Sequence, residues 1–403
     1  MNIKNLLLII KQIFRIKLSF KTPKNFEIVV FDDVGAKDLK NVLSGYNYFI
    51  LEVRTNNLKY IYISPKVIKT FFLNFRGRVK DAYIISILKI INPKLVITFI
   101  DNSYKFFDIA KLMKNNFEFI AIQNGARYDF KIFKHKFKKQ INKTDFSERF
   151  YIPNFFCFGQ FEIDDYKKNK INIGRFYKVG SINLANFLLY KKKHNINLIK
   201  EFDICLISDA CLIGYSKNNG LDNCEQGFAD MTKFTIRFCL EENLKFVFAL
   251  ARLGELLKGE LDFYKQNLTE KEFNFLVKHS VKRDSDKYSS YKAMLQSNIV
   301  ISNYTTMLRE KLAMGGKILS CNLTPSDMYD FPVGGLCFIK NCSYKEFRER
   351  MLEIKNLTDD EYFSKLEKNK NYLMRYEKDN SSINIARKKI DMFLHKKQSN
   401  LIN

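Results

Sequence analysis

The sequence predicts an α/β protein made of two doubly wound domains that face each other across a cleft, followed by helices. Short apolar runs alternate with helical patterns, and this alternation starts again near residue 201. Continuous apolar runs separated by helices are typical of parallel strands covered on both faces. The 403 residues are also more than one hydrophobic core normally serves. We therefore predict a first domain at 1–185, a linker at 186–200, a second domain at 201–375 and a terminal helix at 376–403.

The predicted elements follow one another in the order expected of such domains. In the first half, strands are predicted at 27–31, 48–53, 60–64, 95–100, 117–122, 155–158 and 176–179, with helices at 79–91 and 104–114 and a charged loop at 131–149. In the second half, strands are predicted at 203–207, 244–250, 298–302, 317–320 and 336–339, with helices at 226–243, 261–277 and 305–314 and three more toward the end. Ligands of doubly wound sheets bind beyond the carboxyl ends of the strands, so residues that follow strands are the candidates for a site.

The net charge of +25, from 68 basic and 43 acidic residues, favours an anionic partner. No nucleic-acid reader module is evident and the lysines are spread along the chain, so we do not expect nucleic acid as a partner. Two interpretations of the charge stay open, a lysine-rich solvated surface or an association with an anionic membrane. Residues 1–20, apolar at 6–10 and basic around that run, are likewise either a first helix packed on the domain or an amphipathic helix on the inner membrane face.

Cysteine and histidine usage indicates the compartment and argues against a metal site. The eight Cys include no Cys-x-x-Cys pair, and the four His are scattered. We expect the cysteines to be small buried apolar residues of a cytoplasmic protein. No glycine-rich phosphate loop or dinucleotide-binding fingerprint occurs. We therefore expect neither a bound metal nor a cofactor.

The strongest local pattern lies between residues 289 and 320. A buried strand ends at Ser302, a turn rich in hydroxyl groups follows, and a helix begins at once. The free backbone N–H groups and the dipole at that helix start would attract a phosphate, with the hydroxyls of Thr305 and Thr306 adding hydrogen bonds. Glu310, about one turn further, would accept hydrogen bonds from ribose hydroxyls. The alternative is that a threonine only caps the helix and that Glu310 is solvated.

The order of this segment, an apolar strand, Ser-x-x-Thr-Thr, Glu310 and then Gly-Gly-Lys at 315–317, resembles the donor-nucleotide segment of GT-B glycosyltransferases. It is similar in particular to bacterial surface-carbohydrate proteins related to Kdo, polysialic-acid-type and glycerophosphate transferases. Residues 97–102 with 120–127, and the Gly-Ser pair after the strand at 176–179, resemble the first domain of those proteins. The resemblance implies a GT-B-like fold, a nucleotide-sugar donor on the second domain and an acceptor on the first.

Transfer from a nucleotide sugar needs a base near the acceptor hydroxyl. Where relatives have His-Gly, this chain has Asn124-Gly125, which removes an obvious imidazole base. Asp101, at a strand end, is the first candidate for the base, and Asp33 with its neighbour Asp32 is the reserve. A turn or helix-capping role is the alternative for each acid.

The remaining candidates would bind the two substrates. Gln123, Asn124 and Gly125 would position the acceptor, unless the Asn-Gly pair is only turn chemistry. In the second domain, Arg252 would neutralise a phosphate and His279 would contact the nucleotide base, with an exposed arginine and an incidental histidine as the alternatives. The Asp-x-Asp pattern at 284–286 lies in a charged stretch with no apolar strand before it, so we interpret it as a solvated loop and not as a metal site.

These residues predict a metal-independent glycosyltransferase that acts on a cell-surface polysaccharide or a lipid-linked acceptor. The resemblance suggests a CMP-linked acidic sugar as the donor. A nucleotide-sugar 2-epimerase shares the architecture and stays open as an alternative. A non-catalytic scaffold for polysaccharide assembly at the membrane surface is the alternative from a different class, and the net charge is compatible with it.

Overall fold

Two six-stranded parallel sheets, one in each half of the chain, form the framework of the protein. The structure is a computed structural model that describes residues 16–54, 59–127, 150–209, 224–282 and 286–395. The prediction of two doubly wound halves is confirmed, because every strand pair in both sheets is parallel and helices separate the strands.

The first sheet is formed by β2 (Ile28–Phe31), β3 (Tyr48–Leu51), β5 (Leu95–Thr98), β6 (Glu118–Ile122), β7 (Tyr151–Cys157) and β8 (Asn172–Lys178). The strand order is β3-β2-β5-β6-β7-β8. The chain adds β3 on one side of β2 and then adds β5 and the later strands on the other side, so the topological switch point lies between β2 and β5. Two short strands, β1 (Lys17–Ser19) and β4 (Tyr60–Tyr62), pair with each other in a separate sheet. The strand predicted at 60–64 therefore lies outside the main sheet.

Helices cover both faces of this sheet, which explains why its strands β2 and β5 are apolar and buried on both sides. They are α1 (Pro65–Asn74), α2 (Val79–Ile91), α3 (Tyr104–Leu112), α4 (Gln160–Lys168) and α5 (Ile182–Lys193). Val29 and Phe31 pack in one buried cluster with residues of α2 and α3. Ile28 and Val30 pack in another on the opposite face.

The predicted linker at 186–200 is helical over its first half. Residues 186–193 continue α5, and only the following stretch is extended. The helix begins at Ser181, whose hydroxyl accepts the backbone N–H of Leu184, and three lysines occupy its last turn, where the helix dipole favours cations. The lysines that suggested a linker therefore end a helix.

The second sheet is formed by β9 (Phe202–Ile207), β10 (Phe246–Ala249), β11 (Ser280–Val281), β12 (Ser297–Ser302), β13 (Lys317–Asn322) and β14 (Phe338–Lys340). Its order is β11-β10-β9-β12-β13-β14, the order of doubly wound nucleotide-binding domains. The order in which strands are added to the sheet reverses between β9 and β12, which is its topological switch point. The helices are α6 (Cys224–Glu241), α7 (Glu255–Asn267), α8 (Glu270–Lys278), α9 (Ser289–Gln296), α10 (Thr306–Ala313), α11 (Tyr344–Asn356), α12 (Asp359–Ser364) and α13 (Ser382–Leu394).

The single helix predicted at 261–277 is two helices, α7 and α8. Thr269 interrupts the pattern because its hydroxyl accepts the backbone N–H of Glu272 while the Glu272 carboxylate accepts that of Thr269. This capping box starts a new helix. The Thr-x-x-Glu spacing that produces it is visible in the sequence.

The end of the chain returns to the first domain. Arg375 donates its backbone N–H to the Phe158 carbonyl, and α13 then buries Ile383, Ala386 and Ile390 in the same cluster as Ile28 and Val30. The terminal helix therefore belongs to the first domain in space, although it follows the second domain in the chain.

Several predicted features lie outside the described residues. These are most of the N-terminal segment, the charged loop at 131–149, and Asp284 with Ser285. Among the helices that the structure describes, none is both long enough and apolar enough to cross a bilayer.

Candidate active site between the two sheets

A buried polar group lies at the topological switch point of the second sheet, between β9 and β12. Asp209, just after β9, accepts hydrogen bonds from the Ser302 hydroxyl at 3.1 Å and from the Asn303 backbone N–H at 2.8 Å. Burial raises the pKa of Asp209 to about 6, although these hydrogen bonds lower it. The predicted donor residue Ser302 is fully buried, and its hydroxyl joins the carboxyl ends of β9 and β12.

Glu310, on α10, is the second buried carboxylate of this region. The hydroxyls of Ser181 and Tyr291 both donate to its Oε1, with the Tyr291 oxygen 3.0 Å away. Its Oε2 is buried and has no hydrogen-bond partner among the described residues. Burial raises the pKa of Glu310 to about 7, while the two hydroxyls lower it. Of the two alternatives for Glu310, the solvated acid is excluded because the side chain is fully buried. Its role as an acceptor of ribose hydroxyls stays a prediction.

The two threonines at the start of α10 have different surroundings. Thr305 is the N-cap, and its hydroxyl accepts the backbone N–H of Met307 at 3.5 Å. The Thr306 hydroxyl accepts the backbone N–H of Ala126 at 2.7 Å, a contact between the domains. The predicted donor segment therefore contacts Ala126, the residue that follows the predicted acceptor turn at 123–125, which places both at one domain boundary.

A buried ion pair crosses the same boundary. Arg309 on α10 donates to Glu162 on α4 at 2.7 Å, and both side chains are at most 1% exposed. The other end of the guanidinium donates to the Tyr304 hydroxyl and to the Arg127 carbonyl. Gln123 donates to the same Glu162 oxygen at 3.0 Å and accepts the Phe158 backbone N–H, so its amide is used within the protein.

Asp101 is held in an ion pair on the first-domain side. Both of its oxygens accept from the Arg127 guanidinium, one from Nε at 2.9 Å, and its Oδ1 also accepts the Asn124 backbone N–H at 3.4 Å. Arg127 further donates to the Asn124 side chain at 2.6 Å. The structure therefore joins Asp101 to the 123–125 turn, as a counter-ion that fixes the turn.

The other acids proposed as bases follow β2. Asp32 has φ +85° and accepts from Arg54 Nε at 2.6 Å, and burial raises its pKa despite this contact. Asp33 is half-buried, and its Oδ1 has no hydrogen-bond partner among the described residues. The turn after β2 packs closely against Phe99, two residues before Asp101. A Cβ at position 35 would lie 2.8 Å from the Phe99 ring, so the close packing requires Gly35.

The structure places the last two donor candidates at opposite edges of the second sheet. Arg252 follows β10 at the carboxyl edge, where its backbone N–H donates to Glu260 at 2.8 Å. His279 precedes β11, and its ring lies beside Phe246 and Phe275 with Nδ1 2.8 Å from the Phe275 carbonyl oxygen. Phe246 begins β10, so His279 packs near the amino edge, away from Glu310.

Sequence reasoning did not select four residues that complete this boundary: Ser181, Glu162, Tyr291 and Arg309. Ser181 is 129 positions from its partner Glu310, and Glu162 is 147 positions from Arg309. Tyr291 lies in an ordinary helical pattern. The Gly-Ser pair after β8 was the one local signal for Ser181. Among the described residues, no group of three or more His, Cys, Asp or Glu could hold a metal ion.

The arrangement gathers polar groups between two facing sheet edges. Glu310 supplies a buried carboxylate oxygen, α10 supplies backbone N–H groups at its start, and the turn at 123–127 faces them from the first domain. A carboxylate with a pKa near neutrality exchanges a proton easily at physiological pH. Such a site suits a ligand with hydroxyl and phosphate groups.

The whole structure is similar to solved structures of other proteins. The UDP-GlcNAc 2-epimerase of Methanocaldococcus jannaschii, in complex with UDP-GlcNAc and UDP, superposes with a TM-score of 0.53 at 10% identity, over 91% of this chain and 98% of that one. The chain has the GT-B fold. Identity at this level shows the fold alone.

Two further solved structures superpose on the chain at lower TM-scores. The wall teichoic acid polymerase TagF has a TM-score of 0.47 at 12% identity, over 98% of this chain and 100% of that one. The lipopolysaccharide outer core galactosyltransferase WaaB has a TM-score of 0.45 at 11% identity, over 91% and 98%. No protein-family model and no curated protein matches the sequence.

Proposed function

We propose that the protein is a glycosyltransferase that moves a sugar from a nucleotide-activated donor to a surface polysaccharide or a lipid-linked acceptor. The observation that carries the proposal is the buried Oε2 of Glu310, unpartnered among the described residues, one turn into the helix that follows β12. A ribose hydroxyl is a suitable donor for that oxygen once the two domains move apart to admit it, and the start of α10 would face the phosphates. The resemblance to Kdo and polysialic-acid-type transferases favours a CMP-linked acidic sugar.

In this proposal the first domain activates the acceptor. Asp33 is better suited than Asp101 to accept the acceptor proton, because one of its oxygens is unpartnered among the described residues while Arg127 holds both oxygens of Asp101. The Arg127–Asp101 pair would keep the 123–125 turn in place beside the acceptor. Arg252 and the start of α10 would stabilise the leaving nucleotide phosphate. This chemistry would need no metal.

The donor site is tested by titrating CMP, UDP and GDP against the wild type and against Thr305→Ala/Thr306→Ala. Thr269→Ala is the matched control, because Thr269 caps α8 of the same domain far from the boundary. We expect one nucleotide to bind the wild type and the control equally and the double variant about tenfold more weakly, the effect of one lost hydrogen bond to a charged group. Absence of binding to the wild type, or equal binding to all three, contradicts the proposed site.

The epimerase alternative rests on the shared architecture alone, since an epimerase has the same fold with a TM-score of 0.53. The two activities differ in their need for an acceptor. Incubation of the protein with a UDP-sugar alone would interconvert the sugar if the protein is an epimerase, whereas a transferase leaves it unchanged apart from slow hydrolysis. A proton NMR spectrum of the mixture separates the two outcomes.

An exposed surface on the first domain supports a lipid-linked acceptor and a peripheral position at the membrane. Residues 65–80 contain five basic and no acidic side chains. In the same stretch Phe72 is 70% exposed and Leu73 is 76% exposed, and the large side chains Ile68, Phe75 and Val79 are also exposed. Exposed aromatic and aliphatic groups among cations are suited to an anionic bilayer surface. The surface ends at α2 with Lys80, whose pKa is lowered by burial and raised by nearby carboxylates that include Asp32.

Vesicle sedimentation tests this surface. We expect the protein to bind vesicles that contain phosphatidylglycerol and to bind neutral phosphatidylcholine vesicles much less, with binding that weakens as salt rises. Phe72→Ser/Leu73→Ser would reduce binding at least tenfold. Leu256→Ser is the control, since Leu256 is 64% exposed on the second domain. Equal binding of the double variant and the control would refute the membrane surface without affecting the nucleotide result.

A further inference from the structure

A basic cavity lies at the edge of the second sheet opposite the proposed active site. Its volume is about 450 Å³, and its walls include the first residues of β9, β12 and β13. Because the strands are parallel, this is the amino edge, whereas Asp209 and Glu310 lie toward the carboxyl edge. Four lysines line the cavity, against two aspartates: Lys200, Lys311, Lys317 and Lys355, with Asp203 and Asp359. The proposed transferase reaction uses none of them.

Two of these cations are held close together. The ammonium groups of Lys200 and Lys311 both donate to the carbonyl oxygen of Ser297, at 2.6 and 2.8 Å. They are therefore no further apart than the sum of those distances, about 5.4 Å. Among the described residues, neither has a carboxylate within ion-pair distance. Two like charges at this separation repel each other unless an anion lies beside them.

Lys311 is the more unusual of the pair because its side chain is only 2% exposed. Its Nζ donates to the Met294 and Ser297 carbonyls and lies beside the side-chain nitrogen of Lys200. Burial lowers the pKa of Lys311, and the Lys200 cation lowers it further. The lowered pKa, about 7, would rise again if an anion bound beside Lys311, because the anion favours the protonated ammonium.

The Gly-Gly pair after α10 is explained by this lysine. A Cβ at Gly316 would lie 2.3 Å from Cε and 2.6 Å from Cδ of Lys311, so only glycine leaves room for the stem where it is. Gly315 has φ +86°, which turns the chain between α10 and β13. The motif that resembles a donor segment therefore also positions a buried cation at the opposite edge of the sheet.

Capping of a helix end accounts for only part of this arrangement. The carbonyls of Met294 and Ser297 belong to the end of α9, where one cation is favourable. A second cation on the same oxygen adds repulsion. We propose that the cavity binds a small phosphate-type oxyanion, such as inorganic phosphate, pyrophosphate or the phosphate group of a small metabolite, between Lys200 and Lys311.

The test measures binding of pyrophosphate and of inorganic phosphate by isothermal titration calorimetry to the full chain. Lys200→Gln is the main variant, because Lys200 is exposed and its loss leaves the fold intact. Lys258→Gln, an exposed lysine on α7, is the charge-matched control. We expect saturable binding of at least one anion to the wild type and to the control, and binding about tenfold weaker to Lys200→Gln, the effect of one charged hydrogen bond.

Two further variants locate the site. Lys311→Met would abolish binding if it folds, and Lys200→Arg would retain most of it because the charge remains. Thr305→Ala/Thr306→Ala would leave it unchanged, which separates this cavity from the nucleotide site. Absence of binding of both anions to the wild type overturns the proposal. Equal affinity in Lys200→Gln and Lys258→Gln also overturns it.

Discussion

The Ser181 hydroxyl of the first domain donates a hydrogen bond to the Glu310 carboxylate of the second. Ser181 caps α5 and Glu310 lies in α10, so this one contact links helices that follow β8 and β12. Close by, Phe187 of α5 stacks on Tyr291 of α9 with ring centroids 5.1 Å apart, and Tyr291 also donates to Glu310. The carboxylate proposed to bind a ribose is therefore already held by both domains.

The buried position of Glu310 predicts a dependence of stability on pH. Its pKa is about 7 in the folded protein against 4.5 for an ordinary glutamate, so the folded state binds more protons between these values. The free energy of unfolding should therefore fall as pH rises from about 4.5 to 7. The shift corresponds to a loss of about 3 kcal/mol that is complete above pH 7.

The Glu310→Gln variant isolates this effect, because glutamine stays neutral. Asp209 and Asp32 also have raised pKa values, but both proteins contain them, so their effects cancel in the difference. Urea unfolding at pH 5 and pH 8 should show the variant gaining stability relative to the wild type at the higher pH. A difference that is the same at both pH values would show that Glu310 is ionised like an exposed acid.

The buried ion pair between Glu162 and Arg309 predicts a large loss of stability when one partner is removed. Arg309→Met leaves the Glu162 charge buried without its cation, and we expect a loss of about 3–5 kcal/mol in the free energy of unfolding. Glu162→Gln/Arg309→Met should lose less than the sum of the single variants, because no lone charge remains. Urea unfolding of all four proteins completes the cycle.

An exposed pair is the control for this cycle. Arg237 and Glu241 lie 2.7 Å apart on α6 with much of both side chains exposed, and Arg237→Met should cost far less stability than Arg309→Met because water screens an exposed pair. If Arg309→Met costs no more than Arg237→Met, the Glu162–Arg309 pair does not join the domains energetically.

Most of the fold could be predicted because it is specified locally. The apolar run and the stop at Asn92 predict α2 at 79–91, the bounds that the structure has. Apolar strands likewise predict every strand of the second sheet except β11, which has only two residues. The helix over 186–193 was not predicted because three consecutive lysines resemble a solvated connection as much as the last turn of a helix.

The site could be predicted only in part, because its contacts are distant in sequence. The strand-turn-helix pattern indicated Glu310 and Thr306, but it could not show that their partners are Ser181 and Ala126 in the other domain. Arg309 gave no signal, since an arginine in a helix is normally exposed. Whether a carboxylate such as Asp101 is free or paired likewise depends on tertiary structure.

The contrast between Asp33 and Asp101 predicts different effects of the same substitution. Asp33→Asn should lower kcat about 100- to 10,000-fold, the usual contribution of a general base, with little change in KM or stability. Asp101→Asn should instead lower the free energy of unfolding by about 1.5–3 kcal/mol, because Arg127 loses its counter-ion. Transfer assays with the nucleotide sugar identified by titration, together with urea unfolding, measure both effects. A normal kcat in Asp33→Asn and a collapsed kcat in a stable Asp101→Asn would reverse the assignment.

The glycine before Ser181 predicts a comparison between two left-handed positions. Gly180 has φ +85° and Gly45 has φ +86°, so alanine at either position costs about 1 kcal/mol in backbone strain. At position 180 the added Cβ would also lie 2.3 Å from the Arg375 carbonyl oxygen, whereas nothing lies within 4 Å at position 45. Gly180→Ala should therefore lose about 1–3 kcal/mol more in urea unfolding than Gly45→Ala. It should also weaken nucleotide binding, because relief of the clash moves Ser181 away from Glu310. Equal losses in the two variants would mean that the segment at Arg375 moves aside without cost and does not fix the position of Ser181.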